Sequence, residues 1–190
     1  MKKIFFISLL FLFFIVNKSF ALIEVDITRG NLDPLPIAVS PLYVEPGSKE
    51  IKIDGKTIRN VGEEISKVIE INFKRSGLFN PLKKDSFVQK SDIAHAKPRF
   101  EDWRLIKAQA LVTGKVTVSD NKLRAEFRLW DVVAAKEMIA LAFSTTPQNW
   151  RRVAHIISDK IYKRLTGEEG YFDTRIIYVS ETGPKTQRYK

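Results

Sequence analysis

From Ala110 to Thr145 the chain alternates apolar and polar residues with a period of two, and no other stretch limits the fold as much. Ala110, Val112, Gly114, Val116 and Val118 fall on one side; after Ser119-Asp120-Asn121-Lys122, so do Leu123, Ala125, Phe127 and Leu129, with Arg124, Glu126 and Arg128 on the other. Alternation of this kind predicts half-buried strands, and the polar tetrapeptide between them supplies hairpin turn chemistry. A second turn near Ala134–Lys136 leads into Glu137–Thr145, which makes a three-stranded antiparallel meander. One face of that meander is strongly charged and the other apolar, so helices must cover the apolar one.

Two segments have the right period. Between Thr57 and Ser76 the residues Ile58, Val61, Ile65, Val68, Ile69 and Phe73 recur at steps of three and four, and Gly77 follows as a stop. Between Thr146 and Gly167 the residues Trp150, Val153, Ala154, Ile157, Ile161 and Leu165 do the same, with Thr146 as the expected cap and Pro147 at the first helical position. Ile37-Ala38-Val39, set between Pro36 and Pro41, fits a short buried strand. Leu78-Phe79-Asn80-Pro81 reads as an apolar plug and turn, and Asp85–Pro98 as a strand fragment plus loop. Phe100–Ala108 reads as a short helix that buries Trp103 and Leu105, and Arg175–Ser180 as a further strand. The fold class is therefore α/β, of an α+β-like kind: a small mixed sheet with an antiparallel meander, covered by two main helices on one face.

The N-terminus has the pattern of a secretory leader. Lys2 and Lys3 precede an apolar run, Ile4–Val16, interrupted only by Ser8; Ser19-Phe20-Ala21 then places small residues where a signal peptidase reads. The run is 13 residues long, short of the about 20 that span a bilayer as a helix. Cleavage after Ala21 and no stable membrane insertion are expected. Without residues 1–21 the chain carries a net charge of +7. A secreted basic chain meets anionic surfaces other than nucleic acid, and the basic pairs Lys74-Arg75, Lys83-Lys84 and Arg151-Arg152 are read as solubilising, not nucleic-acid-binding. The sequence has no Cys, which excludes disulfides, thiolate nucleophiles and Cys-ligated zinc.

No residue pattern supports catalysis. His155 falls opposite the Trp150/Ile157 stripe and His95 in a polar loop, so both are read as surface residues. Asp54-Gly55-Lys56-Thr57 echoes the end of a phosphate loop without its upstream glycine, and is read as a turn with Thr57 near a helix start. Adjacent acids such as Glu63-Glu64 and Glu168-Glu169 point about 100° apart on a helix and do not converge. Ser119, Ser144 and Ser158 lack a nucleophile-elbow motif. The chain is read as a non-enzyme with no cofactor and no metal.

Leu22–Thr28 also alternates, Ile23, Val25 and Ile27 against Glu24 and Asp26, and Gly30 with Pro34 and Pro36 tethers it to the rest. A tethered strand can add to the edge of another sheet or sit at the edge of its own, and sequence alone leaves that choice open.

Three stretches carry a family resemblance. They are Pro36-Ile37-Ala38-Val39 with Pro41; Arg75-Ser76-Gly77-Leu78-Phe79-Asn80-Pro81-Leu82; and Trp150-Arg151-Arg152-Val153-Ala154-His155 through Leu165-Thr166-Gly167, Gly170-Tyr171-Phe172 and Thr174–Val179. Together, at this spacing, they resemble the N-terminal domain of the TolB family. The resemblance implies a soluble periplasmic adaptor of the Tol–Pal system, which serves outer-membrane integrity and cell division. It also implies that the extended N-terminus of the processed chain pairs with the C-terminal domain of TolA. Carried onto this sequence, that role falls on Leu22, Ile23, Glu24, Val25, Asp26, Ile27 and Thr28, following cleavage at Ala21. The implied organisation is a leader (1–21), an extended segment and tether (22–36), the α/β domain (37–170), and a linker with the start of a truncated propeller (171–190). Binding of the peptidoglycan-associated lipoprotein is expected only where a propeller is present in the complete protein. The competing reading is another envelope assembly factor, similar to an activator of peptidoglycan synthesis, working through charged helix faces.

Overall fold

The structure, a computed structural model, describes residues 23, 25, 33–53, 55–175 and 177. The meander forms as its alternation requires. β6 (Ala110–Val118), β7 (Leu123–Asp131) and β8 (Lys136–Thr145) pair antiparallel, Gly114 opposite Phe127 and Phe127 opposite Leu141. Near Met138 a bulge shifts the register between β7 and β8.

β1 (Leu35–Val39) lies parallel to β6 on one side and to β5 (Phe79–Pro81) on the other, and β2 (Tyr43–Val44) continues along β6 beyond the break at Pro41. The result is a six-stranded mixed sheet of order β5-β1-β6-β7-β8, with β2 also on β6. β1 starts at Leu35, inside the stretch expected to be tether. Pro36 fits there because the β1–β6 ladder begins one residue later, at Ile37, and β5 is met by the backbone of Leu35 and Ile37; no ladder bond needs the missing N–H.

α1 (Val61–Ser76) and α4 (Trp150–Thr166) cover one face. Asn60 begins α1 by accepting the Glu63 N–H at 3.1 Å, and Gly77 ends it at φ 73°; Gly167 ends α4 at φ 78°. Apart from Ile58, both stripes are buried with the inner residues of β1, β6 and β7.

Several expectations are corrected. The helix does not begin at Thr57: β3 (Ile51–Ile53) and β4 (Lys56–Ile58) form a small hairpin, with Ile58 opposite Ile51. Phe79-Asn80-Pro81 is the edge strand β5, not a turn. The stretch after Asp85 holds a 3-10 turn, Lys84–Ser86, and a short helix, α2 (Ser91–Ala94), in place of a strand. Helix α3 (Phe100–Leu105) ends early and leaves Leu105 78% exposed. Thr146 makes no side-chain cap, and Pro147–Asn149 is a 3-10 turn before α4. Arg175 and Ile177 are in no strand; the rest of Arg175–Ser180 lies outside the described residues.

A second core lies on the other face of the sheet, built around Trp103, which is buried as expected. Phe100 and Trp103 pack with Ala38, Leu111, Trp130 and Val132. Gln89, 2% exposed, accepts both the buried Trp103 indole N–H at 3.0 Å and the Arg99 N–H at 3.1 Å through Oε1. Beyond this core the outer face of β6–β8 is a ladder of ion pairs, Lys115–Glu45, Arg124–Glu126 and Arg128–Glu137.

Candidate partner-binding site

Of the seven residues expected to meet a partner, Ile23 and Val25 are described. Leu22, Glu24, Asp26, Ile27, Thr28 and the cleavage residue Ala21 lie outside the described residues. Ile23 and Val25 are in no strand, and both are half-buried against the main core of their own domain. Two hydrogen bonds from their backbone N–H groups hold them there: the Val25 N–H donates to the Leu165 carbonyl at 2.7 Å, and the Ile23 N–H to the Asp131 side-chain Oδ2 at 3.4 Å.

Both acceptors lie at the ends of secondary-structure elements. Leu165 is in the last turn of α4, where carbonyls lack an intrahelical partner. Asp131 closes β7, fully buried, and its Oδ1 accepts the Ala134 N–H at 2.7 Å in the following turn. Sequence reading did not single out Asp131; its only signal was an acid directly before a turn. Net, each such bond contributes about 0.5–1.5 kcal/mol, and the longer one belongs at the low end. Ile23 and Val25 are thus lodged, but lightly.

The two histidines stand apart from this site. His95 stacks on Tyr43 with ring centroids 4.5 Å apart. His155 is not the solvated surface residue its position suggested: it is half-buried between α1 and α4, with Nδ1 3.0 Å from the Asn72 amide nitrogen. Asn72, 4% exposed, also donates to Ser158 Oγ at 2.9 Å. The helix seam therefore contains a polar cluster that apolar spacing could not reveal. Burial holds the His155 ring below its ordinary pKa of 6.5, Arg151 and Arg75 push the same way, and Asp173 and Asp159 oppose them. A depressed histidine pKa means that the unfolded chain takes the proton first. Stability is therefore expected to fall as pH drops below about 6.5 and through the folded-state pKa. Urea midpoints at pH 7 and pH 5 check this: the wild type should lose more than His155→Gln, and equal losses would remove His155 from the account.

Three of the four acids in the adjacent pairs Glu63-Glu64 and Glu168-Glu169 are held by surface lysines. Glu63 and Glu64 both reach Lys67, at 3.2 and 2.9 Å, and Glu169 pairs with Lys163. Among the described residues no group of three or more His, Cys, Asp or Glu is placed to hold a metal ion, and no helix is long and apolar enough to cross a membrane. Gly55, at φ 76°, turns the β3–β4 hairpin, so Thr57 belongs to a strand and not to a helix start.

These features define a class of small α/β domain: a mixed sheet backed by two helices, with an N-terminal extension lodged against its own core. Residues 23–138 match the family described as the TolB amino-terminal domain, and the chain belongs to that family. Over 183 residues it is 67% identical to the "Tol-Pal system protein TolB" of Pelagibacter ubique (strain HTCC1062), a match covering 95% of this chain and 41% of that protein. The chain thus spans about two fifths of the length of this relative. The crystal structure of TolB from Acinetobacter baumannii superimposes with a TM-score of 0.58 at 19% identity, over 80% of this chain and 33% of the other. The hypothetical protein CT253 from Chlamydia trachomatis does so at 0.51 and 13% identity, over 72% of this chain and all of the other. At these identities the two structures bear on the fold alone.

Proposed function

We propose that the chain is the N-terminal part of a periplasmic adaptor of the Tol–Pal system, exported by residues 1–21, and that Leu22–Thr28 binds the C-terminal domain of TolA by adding a strand to its sheet. In this reading 22–34 is the partner segment with its tether, 35–170 the folded domain, since β1 begins at Leu35, and 171–190 the lead into a propeller. Contact with the peptidoglycan-associated lipoprotein belongs to a propeller in the complete protein, and outer-membrane integrity and division are the processes served. The reading rests on family membership and on one structural observation: Ile23 and Val25, two apolar residues of an alternating segment, lie outside any strand, with one N–H bond to a backbone carbonyl and one to a side-chain carboxylate.

Such a segment can exchange partners. A foreign sheet edge offers main-chain bonds along the whole segment and a surface for its apolar side. The internal docking lowers apparent affinity only by the fraction of molecules in which it is occupied.

The test is a titration of the chain beginning at Leu22 against the TolA C-terminal domain, with and without Leu22–Gly30. Deletion should abolish binding. It should cost little stability, because half-burial of two aliphatic side chains, about 1 kcal/mol each, is offset by an ordering cost of about 1–2 kcal/mol per residue. Undiminished binding would assign recognition to the charged helix faces of the competing assembly-factor reading. A large loss of stability would make the segment part of the core.

A further inference from the structure

The two edges of the sheet are built differently. β5 has three residues, ends in Pro81 and is followed by Lys83 and Lys84; short length, proline and lysine all discourage further pairing. β8 has ten residues, and its middle, Ile139-Ala140-Leu141-Ala142-Phe143, has no charge and no proline. Ala140, Leu141, Ala142 and Ser144 are exposed. Nothing in that stretch protects the edge.

Its unpaired backbone groups can be identified. In β6, Val112, Val116 and Val118 direct their carbonyls to Ser40, Glu45 and Lys49, away from β7. The odd-numbered residues of β6 therefore bond β7, where each lies opposite an even-numbered residue. By the same alternation the odd residues of β7 bond the odd residues of β8, as at Phe127 and Leu141. Ala140, Ala142 and Ser144 are left with N–H and C=O directed outward. At the bulge, the Arg164 Nε–H donates to Met138 O at 3.4 Å and covers one edge carbonyl.

Beside this edge, between β8 and the last turns of α4, lies a groove of about 390 Å³ lined by Ile139, Lys160, Lys163, Arg164 and Gly167. Its floor is apolar and its walls are cationic. Lys163 already pairs with Glu169, whereas Lys160 is exposed and has no ion pair among the described residues. We propose that β8 is a second docking edge, distinct from the N-terminal segment, which takes an extended acidic-and-apolar segment of another protein as an added strand. The main chain would pair with Ala140, Ala142 and Ser144; alternate side chains face opposite sides, so carboxylates would stand on the α4 side and meet Lys160 and Lys163 while apolar side chains lie beside Ala140 and Ala142 on the other. A second copy of this chain fits less well, since two such edges would set their rows of Lys160, Lys163 and Arg164 against each other.

The probe is a fluorescein-labelled eight-residue peptide of alternating glutamate and valine, with a lysine–valine peptide as its control. The chain is expressed with its leader so that the cell processes it. The acidic peptide is expected to give saturable anisotropy and the basic one at least about tenfold weaker binding. Ala142→Pro removes an outward N–H and leaves the β7–β8 ladder intact; the surface pair Lys160→Glu, Lys163→Glu reverses the charge without touching the core. Each should weaken the acidic peptide by about tenfold or more with the melting temperature held. Equal binding of both peptides, or binding untouched by the charge reversal, would overturn the proposal. So would concentration-dependent self-association lost in Ala142→Pro without any peptide binding, which would give the edge to a second copy. If Ala142→Pro does not fold, the charge reversal and the amide shifts of Ala140, Ala142 and Ser144 on titration decide the matter.

Discussion

Phe73→Ala is expected to cost about 3–5 kcal/mol, a large part of the about 5–15 kcal/mol that holds a domain together. Phe73 is fully buried in α1 and packs on Phe79 of the edge strand β5, ring centroids 4.9 Å apart; Phe79 in turn meets Tyr162 of α4 edge-on at 6.1 Å. The Phe73 ring thus ties α1 to the short edge strand β5, whose Phe79 carries the contact on to α4. Removing it opens a cavity at the point where β5 has only three residues of pairing to resist separation. Urea unfolding of the variant measures the loss. A cost below about 1 kcal/mol, the size of a surface substitution or little more, would mean that β5 and α1 are not joined as described.

Gly62→Ala sets two effects of opposite sign against each other. In a helix the change should stabilise by about 1 kcal/mol. At this position, in the first turn of α1, an added Cβ would lie 2.0 Å from Leu42 O and 2.9 Å from Leu42 C, both backbone atoms. The glycine lets the chain between β1 and β2 pass against the helix. There the Leu42 N–H donates to Gly62 O at 3.3 Å and to Ser66 Oγ at 3.1 Å, and Ser66 Oγ lies 3.0 Å from Ser40 O. No flexible side chain can give way, so helix and loop must part and these buried bonds lengthen. Overpacking of this kind costs about 1–3 kcal/mol or more, and the expected net effect is destabilisation. A thermal midpoint at or above that of the wild type would show that propensity wins and that the close approach is absent.

What could be read from residues alone follows from the length scale of each signal. The meander and the two helices are long periodic segments whose apolar stripes face one shared core, and local pattern and tertiary packing agree there. Local signals failed where an element is too short to have a period: Phe79–Pro81 is a strand only because β1 lies beside it, and Ile58 belongs to a hairpin whose apolar step happens to be in phase with the helix that follows. Leu105 is the converse case, an apolar residue left in water because the backbone leaves the helix one residue later and turns through Lys107 at φ 60°. Polar residues of the interior carry no periodic signal at all, which is why Asn72, Gln89 and Asp131 come from the structure. At the candidate site the alternation of Ile23 and Val25 was legible and their lodging against Leu165 and Asp131 was not, since one backbone carbonyl at a helix end resembles any other in sequence.

The Tol–Pal reading depends on how firmly that N-terminal stretch is seated. Hydrogen exchange at the amides of Ile23 and Val25, in the chain beginning at Leu22, reports it directly. The account predicts slight protection in the free protein, of roughly one to two powers of ten given bonds of about 1 kcal/mol, and a marked rise on adding the TolA C-terminal domain. Amides protected as deeply as those of the central strands, and unmoved by that domain, would contradict it.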